Sequence, residues 1–146
     1  MDKTQMHTPF PPSSLQASAI PYRVHDGRLE ICLITSLSSG RWGFPKGLID
    51  PGETAVETAL KEAHEEGGLR GRVVGEPLGE YQYAKWGVML TVTVFLMHVQ
   101  EADETWLEAD RRQRRWVTAD VAADMLDRKY LARVLRLAVK RLEEQA

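Results

Sequence analysis

The sequence predicts an α/β (α+β) fold in which a mixed central sheet carries helices on both faces. Three patterns predict it: strand-like apolar runs recur between residues 17 and 117, one strongly capped helix interrupts them, and an amphipathic helix follows them. The run at 88–100 is apolar on both of its faces. We therefore expect it to be a central strand that helices cover from both sides.

The strands are predicted from these apolar runs and from the turns between them. Asp26-Gly27 is a favoured hairpin turn, and it joins strands predicted at 17–24 and 29–37. Further strands are predicted at 72–83, 88–100 and 115–117, with loops at 41–47 and 101–110. The Pro-rich residues 1–14 are predicted to be a flexible tail, and residues 15–146 a single domain.

The helices are predicted from their caps and from their period. Thr54 and Glu57 have the spacing of a capping box, and Gly67-Gly68 provides the stop at the end of the first helix. A short helix is predicted at 118–126. The closing helix follows from apolar residues at helical spacing, namely Leu131, Val134, Leu135, Ala138 and Leu142.

Composition and charge narrow the class of protein. The 146 residues contain 19 Lys and Arg against 21 Asp and Glu, so the net charge of −2 disfavours a general nucleic-acid binder. Cys32 is the single cysteine, which excludes an intrachain disulfide and a Cys-based zinc site. No apolar run is long enough to cross a membrane, and the polar, Pro-rich N-terminus has no signal core. We therefore expect a cytoplasmic protein without a membrane partner.

Three carboxylates of the first helix share one of its faces. With Glu62 placed at 0°, Glu65 lies at about 300° and Glu66 at about 40°, so the three occupy an arc of about 100° beside the apolar face. Like charges at this spacing repel one another, and a hard divalent cation with oxygen ligands removes the repulsion. The alternative is a solvated acidic face paired with Lys61. Spacing alone leaves both interpretations open.

The surrounding residues resemble the Nudix hydrolase family. Its signature, G-x5-E-x7-R-E-U-x-E-E-x-G-U with U a bulky aliphatic residue, is matched with every spacing kept at Gly47, Glu53, Glu62, Glu65, Glu66, Gly68 and Leu69. Lys61 replaces the Arg of the signature, and Ala63 replaces its larger aliphatic residue. The resemblance implies an α/β/α sandwich that hydrolyses a diphosphate linkage with Mg²⁺ or Mn²⁺ as cofactor.

The resemblance also implies roles for individual residues. Glu62, Glu65 and Glu66 would ligate the metal, with the Gly47 carbonyl as a further ligand. Glu66 is the first candidate for the group that activates water, and Glu53 is the second. Glu53 is expected mainly to support the box by pairing with Lys61, although Lys lacks the bidentate fork of Arg. Glu104 and Glu108 of the acidic loop are candidates from outside the box.

The expected substrate is a small-molecule polyphosphate. Residues 41–47 resemble the entry to the box in enzymes that cleave diadenosine polyphosphates and diphosphoinositol polyphosphates, and the residues around 101–117 are similar to the second group. Such substrates need several cations, and the candidates are Arg23, Arg41, Lys46, Lys85, Arg111 and Arg112. Four aromatic residues are candidates either for stacking an adenine or for the core: Trp42, Tyr81, Tyr83 and Trp86.

Two further interpretations assign the chain to a class of protein other than enzymes. A Nudix-fold module that binds or senses a nucleotide without turnover is the main alternative, although such modules typically lose glutamates of the box and this chain keeps them. A partner-binding domain is the other, but the closing helix has a single apolar stripe, which its own sheet uses. The chain is expected to be a monomer or a homodimer.

Overall fold

The computed structural model describes residues 14–145. The flexible tail predicted for residues 1–14 lies outside this range except for Ser14, which is buried. Eight strands and three helices make up the described part. In chain order they are β1 (Leu15–His25), β2 (Arg28–Thr35), β3 (Trp42–Gly43), β4 (Lys46–Leu48), α1 (Ala55–Gly67), β5 (Leu69–Val73), β6 (Gly79–Lys85), β7 (Val88–Ala102), β8 (Arg114–Val117), α2 (Ala119–Met125) and α3 (Lys129–Glu144).

The strands form one mixed sheet, as the sequence predicts. Its order is β3-β2-β1-β7-β5, while β4 also pairs with β1, β6 with β7 and β8 with β2. β1 and β7 run parallel along eight paired residues, whereas the other pairings are antiparallel. Asp26 and Gly27 both have positive φ, which is the geometry of the predicted hairpin turn between β1 and β2.

Helices cover both faces of this sheet, and β7 separates two apolar cores. Val92 and Leu96 of β7 pack into the core that α2 and α3 close with Ala122, Val134 and Leu135. Phe95 and Met97, which point to the opposite face, pack into the core that α1 closes with Ala59 and Ala63. The prediction of a central strand covered on both faces is confirmed.

The single strand predicted at 72–83 is wrong. Two strands, β5 and β6, occupy this region and pair with successive parts of β7. Gly75, with a φ of +75°, and Pro77 interrupt the extended backbone between them. Arg141 of α3 donates to the carbonyls of Val74 and Glu76. A side chain from the far end of the chain therefore provides hydrogen-bond donors for backbone carbonyls of the connecting loop.

The predicted loop at 41–47 contains two short strands that position the site. β3 pairs with β2, and β4 pairs with β1 so that Lys46 lies opposite Ser18 and Gly47 opposite Ala17. The Ser18 hydroxyl donates to the Pro45 carbonyl at 2.7 Å, which anchors the chain just before β4. The Lys46-Gly47 backbone is therefore held against the sheet instead of moving as an open loop.

Candidate active site

The ends of α1 are fixed by local interactions. The Thr54 hydroxyl accepts from the Glu57 amide at 3.1 Å, and the Glu57 carboxylate accepts from the Thr54 amide at 2.9 Å, so the predicted capping box is present. At the other end, Gly68 adopts the left-handed conformation with a φ of +66°. The two caps fix where α1 begins and ends, and thereby the position of the three carboxylates along the helix.

Glu62 and Glu66 form a carboxyl pair at the buried edge of α1. Glu66 is only 7% exposed, Glu62 is half-buried, and their carboxyl groups share a hydrogen bond. Glu65 lies beside the pair and is partly exposed. Within residues 14–145, no three His, Cys, Asp or Glu side chains are gathered closely enough to enclose a metal ion. The helix therefore provides a tight pair with a third carboxylate next to it.

Burial changes the acidity of this pair. Desolvation raises the pKa of Glu66 to about 8, with the hydrogen bond and the charge of Glu62 acting in the same direction and Arg112 acting against them. Desolvation also raises the pKa of Glu62, and the charge of Glu65 adds to that rise. At both carboxyl groups, burial outweighs the nearby positive charge, which comes from Arg112 at Glu66 and from Lys61 at Glu62. Carboxylate oxygens in such a setting fit a hard divalent cation.

Gly47 brings the backbone of β4 against the carboxyl pair. A Cβ atom placed on Gly47 would overlap the carboxyl group of Glu62, so this position accepts only glycine without a shift of that side chain. The Lys46 amide donates to Glu66 at 3.2 Å. Main chain from β4 and side chains from α1 thus meet at one point, although they lie about one helix length apart in the sequence.

Glu53, which precedes the N-cap of α1, forms a separate ion pair with Lys61 of the helix. The Lys61 ammonium lies 2.8 Å and 3.0 Å from the two carboxylate oxygens of Glu53 and 3.0 Å from Asp50. The Thr58 hydroxyl also donates to Glu53, at 2.9 Å. The bonds from Lys61 and then from Thr58 lower the pKa of Glu53. Glu53 is consequently an ionised, fully engaged group, which suits the support of the box better than proton transfer.

A cleft of about 210 Å³ opens beside Glu66 between the sheet and α3. Four of the candidate phosphate-binding residues line it: Arg41, Lys46, Lys85 and Arg112. Arg128, which the sequence did not single out, also lines it. Glu66 is the single acidic residue among the lining residues, so the described walls carry an excess of positive charge.

The other two candidate cations lie elsewhere. Arg23 donates to Glu30 at 2.8 Å and stacks over the Trp116 ring at 4.0 Å, and it does not line the cleft. Arg111 is exposed and has Asp110 as its ionic partner at 3.9 Å. Both side chains have the chemistry of a phosphate site, but their partners are carboxylates nearby in the same chain, Glu30 and Asp110. The structure therefore does not bring these two arginines to the carboxyl pair.

Lys46 and Arg112 have contrasting surroundings in the cleft. Burial lowers the pKa of Lys46, and the charges of Lys85, Arg128 and Arg112 lower it further against the opposing effect of Glu66. Arg112 instead has partners for its donors: Glu108 at 2.6 Å, the Thr35 carbonyl at 2.9 Å and Glu66 at 3.6 Å. Lys46 is accordingly the cation with the greater need of an anionic ligand.

Tyrosines form one wall of the cleft. Tyr81 and Tyr83 both line it, and Tyr81 stacks on Tyr130 of α3 at 4.5 Å. The Tyr83 hydroxyl donates to Gln16 at 2.8 Å. Trp42 is partly buried and Trp86 is 73% exposed at the β6–β7 turn, and neither lines the cleft. Two of the four candidate aromatics therefore face the site.

The carboxyl pair predicts how stability depends on pH without metal. The folded protein keeps a proton on Glu66 up to pH about 8, whereas an ordinary carboxyl with a pKa of 4.5 has lost it. Because the folded state binds the extra proton, its stabilising contribution is complete below about pH 4 and falls as the pH rises towards 8. Urea unfolding in EDTA across this range should show that decline, and Glu66→Gln should lack most of it. Parallel pH profiles for the two proteins would contradict the assignment.

The sheet lies between α1 on one face and α2 and α3 on the other, and paired acids lie beside a cationic cleft. This arrangement defines the class: an α/β/α sandwich of Nudix type. A model of the NUDIX domain matches residues 15–137, and the chain belongs to the Nudix family.

The similarity extends to named proteins. Over 116 residues the chain is 32% identical to Nudix hydrolase 4 of Arabidopsis thaliana, covering 73% of this chain but only 56% of that protein. It is 31% identical over 110 residues to an asymmetrical bis(5'-nucleosyl)-tetraphosphatase of Sus scrofa, covering 71% of this chain and 75% of that one. A C. elegans Ap4A hydrolase binary complex has the same fold, with a TM-score of 0.80, 23% identity and coverage of 90% and 98%.

The sequence predicts a cytoplasmic location for the protein. No helix in the range 14–145 is both long and apolar enough to span a membrane. Several plant relatives carry "mitochondrial" or "chloroplastic" in their names. The cytoplasmic location therefore stays a prediction.

Proposed function

We propose that this chain is a Nudix pyrophosphohydrolase that uses Mg²⁺ or Mn²⁺ to cleave a diphosphate linkage in a nucleoside polyphosphate. A diphosphoinositol polyphosphate is the other candidate substrate. The observation that carries the proposal is the buried Glu62–Glu66 pair, which lies at one side of a cleft whose other charged residues are all cations. The metal ion would neutralise the carboxyl pair, and the polyphosphate would neutralise the cations of the cleft.

The ion would be held by residues of α1 and β4. Glu62, Glu65 and Glu66 provide hard oxygen ligands, and the Gly47 carbonyl is a further candidate because Gly47 contacts Glu62. When bound, a divalent ion acidifies water and polarises a phosphoryl oxygen. Among the chain's own groups, Glu66 is the first candidate to orient that water, since it is the buried carboxylate that lines the cleft.

The cations of the cleft would bind and orient the phosphates. Lys46 lies close to Glu66 through its own amide, so its ammonium is the one best placed to hold the phosphoryl group next to the acids. Lys85 and Arg41 also line the cleft and add to its cationic wall. Charge that develops on the phosphate oxygens during cleavage would be stabilised by these fixed cations.

Two observations favour a dinucleoside polyphosphate as the substrate. The pig relative is named as an asymmetrical bis(5'-nucleosyl)-tetraphosphatase, and it is matched along three quarters of its length. In the cleft, the partly exposed Tyr83 offers aromatic surface beside the cations, which suits a base more than an inositol ring. The alternative of a non-catalytic binding module is disfavoured because every glutamate of the box is retained.

Chromatographic separation of the cleavage products from a panel of substrates tests the proposal, because hydrolysis of an internal diphosphate linkage leaves both phosphates on organic products. The panel contains a diadenosine polyphosphate, a diphosphoinositol polyphosphate, a nucleoside triphosphate and a nucleotide sugar, each assayed with Mg²⁺ and then with EDTA. We expect Mg²⁺-dependent cleavage, with the highest kcat/KM for the diadenosine compound. Binding of a nucleotide without turnover under all conditions would support the sensor module and overturn the proposal.

Replacing Lys46 by alanine is expected to weaken substrate binding. Loss of a buried, charge-assisted contact to phosphate should raise KM by roughly tenfold or more, with a smaller change in kcat. The matched control is Arg111→Ala, which removes an exposed cation that does not line the cleft. Steady-state kinetics on a series of dinucleotides with increasing phosphate number provides the measurement. Equal KM values for the two variants would show that Lys46 does not contact the substrate.

A further inference from the structure

The last turn of α1 leaves main-chain carbonyls that its own hydrogen bonds do not satisfy, as every helix does. The Gly68 amide donates to the His64 carbonyl at 3.0 Å, which accounts for one of the last four. The remaining three belong to Glu65, Glu66 and Gly67. Two of these residues are the candidate metal ligands, so the partners of their carbonyls also determine where the carboxylates lie.

One segment, residues 103–114, provides all three donors; we call it the clamp segment. The Glu108 amide donates to the Glu65 carbonyl at 3.2 Å. The Trp106 indole N–H donates to the Glu66 carbonyl at 2.9 Å. The Arg114 guanidinium donates to the Gly67 carbonyl at 2.7 Å. A further bond, from the Asp103 amide to the Gly68 carbonyl at 2.8 Å, continues the same row.

The Trp106 side chain packs closely beside this row of hydrogen bonds. A Cβ atom on Gly68 would lie 2.9 Å from three atoms of the Trp106 side chain, so the glycine that ends the helix also leaves room for the indole. The Arg114 guanidinium also lies over the ring, 4.2 Å from its centroid. Contacts with Gly68 and with Arg114 therefore position the indole that donates to the Glu66 carbonyl.

The clamp segment also reaches the side chain of Glu66. Arg112 lies 3.6 Å from the Glu66 carboxylate, and Glu108 accepts from Arg112 at 2.6 Å. Trp106 holds the main chain of Glu66 while Arg112 approaches its carboxylate. Trp106 itself does not line the cleft.

We propose that Trp106 is a positioning residue for the metal-binding turn of α1: its indole hydrogen bond to the Glu66 carbonyl holds the Glu65–Glu66 main chain where the carboxylates meet the cleft. The inference rests on the proposed function, because the carboxylates matter only if they bind a metal. Trp106 acts through Glu66 and touches neither substrate nor metal.

Two tryptophan variants test the proposal. Trp106→Phe removes the N–H and keeps most of the ring. Trp116→Phe is the matched control, because the Trp116 indole donates to no residue in the described range while its ring stacks under Arg23. We expect Trp106→Phe to lower kcat by about tenfold with little change in KM, since supporting partners of metal ligands typically contribute at this level. Trp116→Phe should leave kcat within about twofold of wild type.

Readouts other than activity separate positioning from stability. In Trp106→Phe, Mn²⁺ affinity without substrate should fall about tenfold. Amide hydrogen exchange in residues 65–68 should quicken, with exchange in the sheet unchanged. Leu142→Ala provides a second control, because it removes packing of α3 far from α1 and should lower Tm without changing Mn²⁺ affinity.

The outcomes are distinguishable. An active wild type whose Trp106→Phe variant keeps its kcat and Mn²⁺ affinity, whatever its Tm, overturns the positioning role. A wild type that cleaves no substrate overturns the proposed hydrolase, and the Mn²⁺ titration with hydrogen exchange then still decides whether Trp106 positions the acids. A combined loss of kcat and Mn²⁺ affinity in Trp106→Phe alone supports the inference.

Discussion

Glu66→Gln is expected to lower kcat by at least about 100-fold while the fold is retained, because glutamine keeps the shape of the buried side chain but brings no negative charge to a hard cation and accepts no proton. Among residues 14–145, Glu66 is the one carboxylate that lines the cleft, and its buried carboxyl is held by the Lys46 amide and Glu62. Circular dichroism and thermal unfolding check the fold, and the rate of formation of the nucleotide products at saturating Mg²⁺ measures kcat.

The same loss is expected for Glu65→Gln, although Glu65 lies beside the pair and is more exposed. Glu144→Gln, in the last turn of α3, is the matched control and should retain wild-type activity. Near wild-type kcat in both Glu65→Gln and Glu66→Gln would remove α1 as the metal helix. Loss in Glu66→Gln alone would restrict the ligand set to the buried pair and the backbone of β4.

Gly47→Ala is expected to lower kcat by about 100-fold for a purely geometric reason. The added methyl group would overlap the Glu62 carboxyl group. That carboxyl is the end of a flexible side chain, so it moves away while the backbone stays in place. The variant should therefore fold with a Tm close to wild type but lose its metal ligand from the correct position.

Gly79→Ala is the matched control for Gly47→Ala. A Cβ atom at Gly79 would meet its nearest neighbour, Leu137, at 3.5 Å, which is an ordinary contact. Kinetics together with Mn²⁺ titration compares the two variants. If Gly47→Ala binds Mn²⁺ and turns over substrate as well as Gly79→Ala does, the approach of β4 to Glu62 has no part in the site.

Local patterns predicted α1 and its carboxylates well. The capping box of Thr54 and Glu57 and the left-handed Gly68 lie where the sequence placed them. Interactions within a helix span only three or four residues, so the spacing alone determines which side chains share a face. The two-sided burial of β7 was predictable for a similar reason, since its apolar residues continue through both faces of the strand.

Contacts between distant segments were not predictable. Arg23 and Arg111 had the right chemistry for phosphate, yet carboxylate partners hold them away from the cleft. Arg128 lines the cleft although nothing in its spacing relates it to the carboxylate helix. No local pattern relates Trp106 to the carboxylate helix, and its bond to the Glu66 carbonyl joins residues 40 positions apart.

The sequence by itself indicated the family through the resemblance of residues 47–69 to the Nudix signature. It also determined the mixed α/β architecture and the helix that carries Glu62, Glu65 and Glu66, because helix period, capping and strand alternation are local properties of the chain. Only the tertiary structure decided which cations face the acids, that Gly47 contacts Glu62, and that residues 103–114 hold the end of α1. The physical reason is that these contacts join segments far apart in sequence, and their partners depend on how sheet and helices pack, which no local spacing encodes.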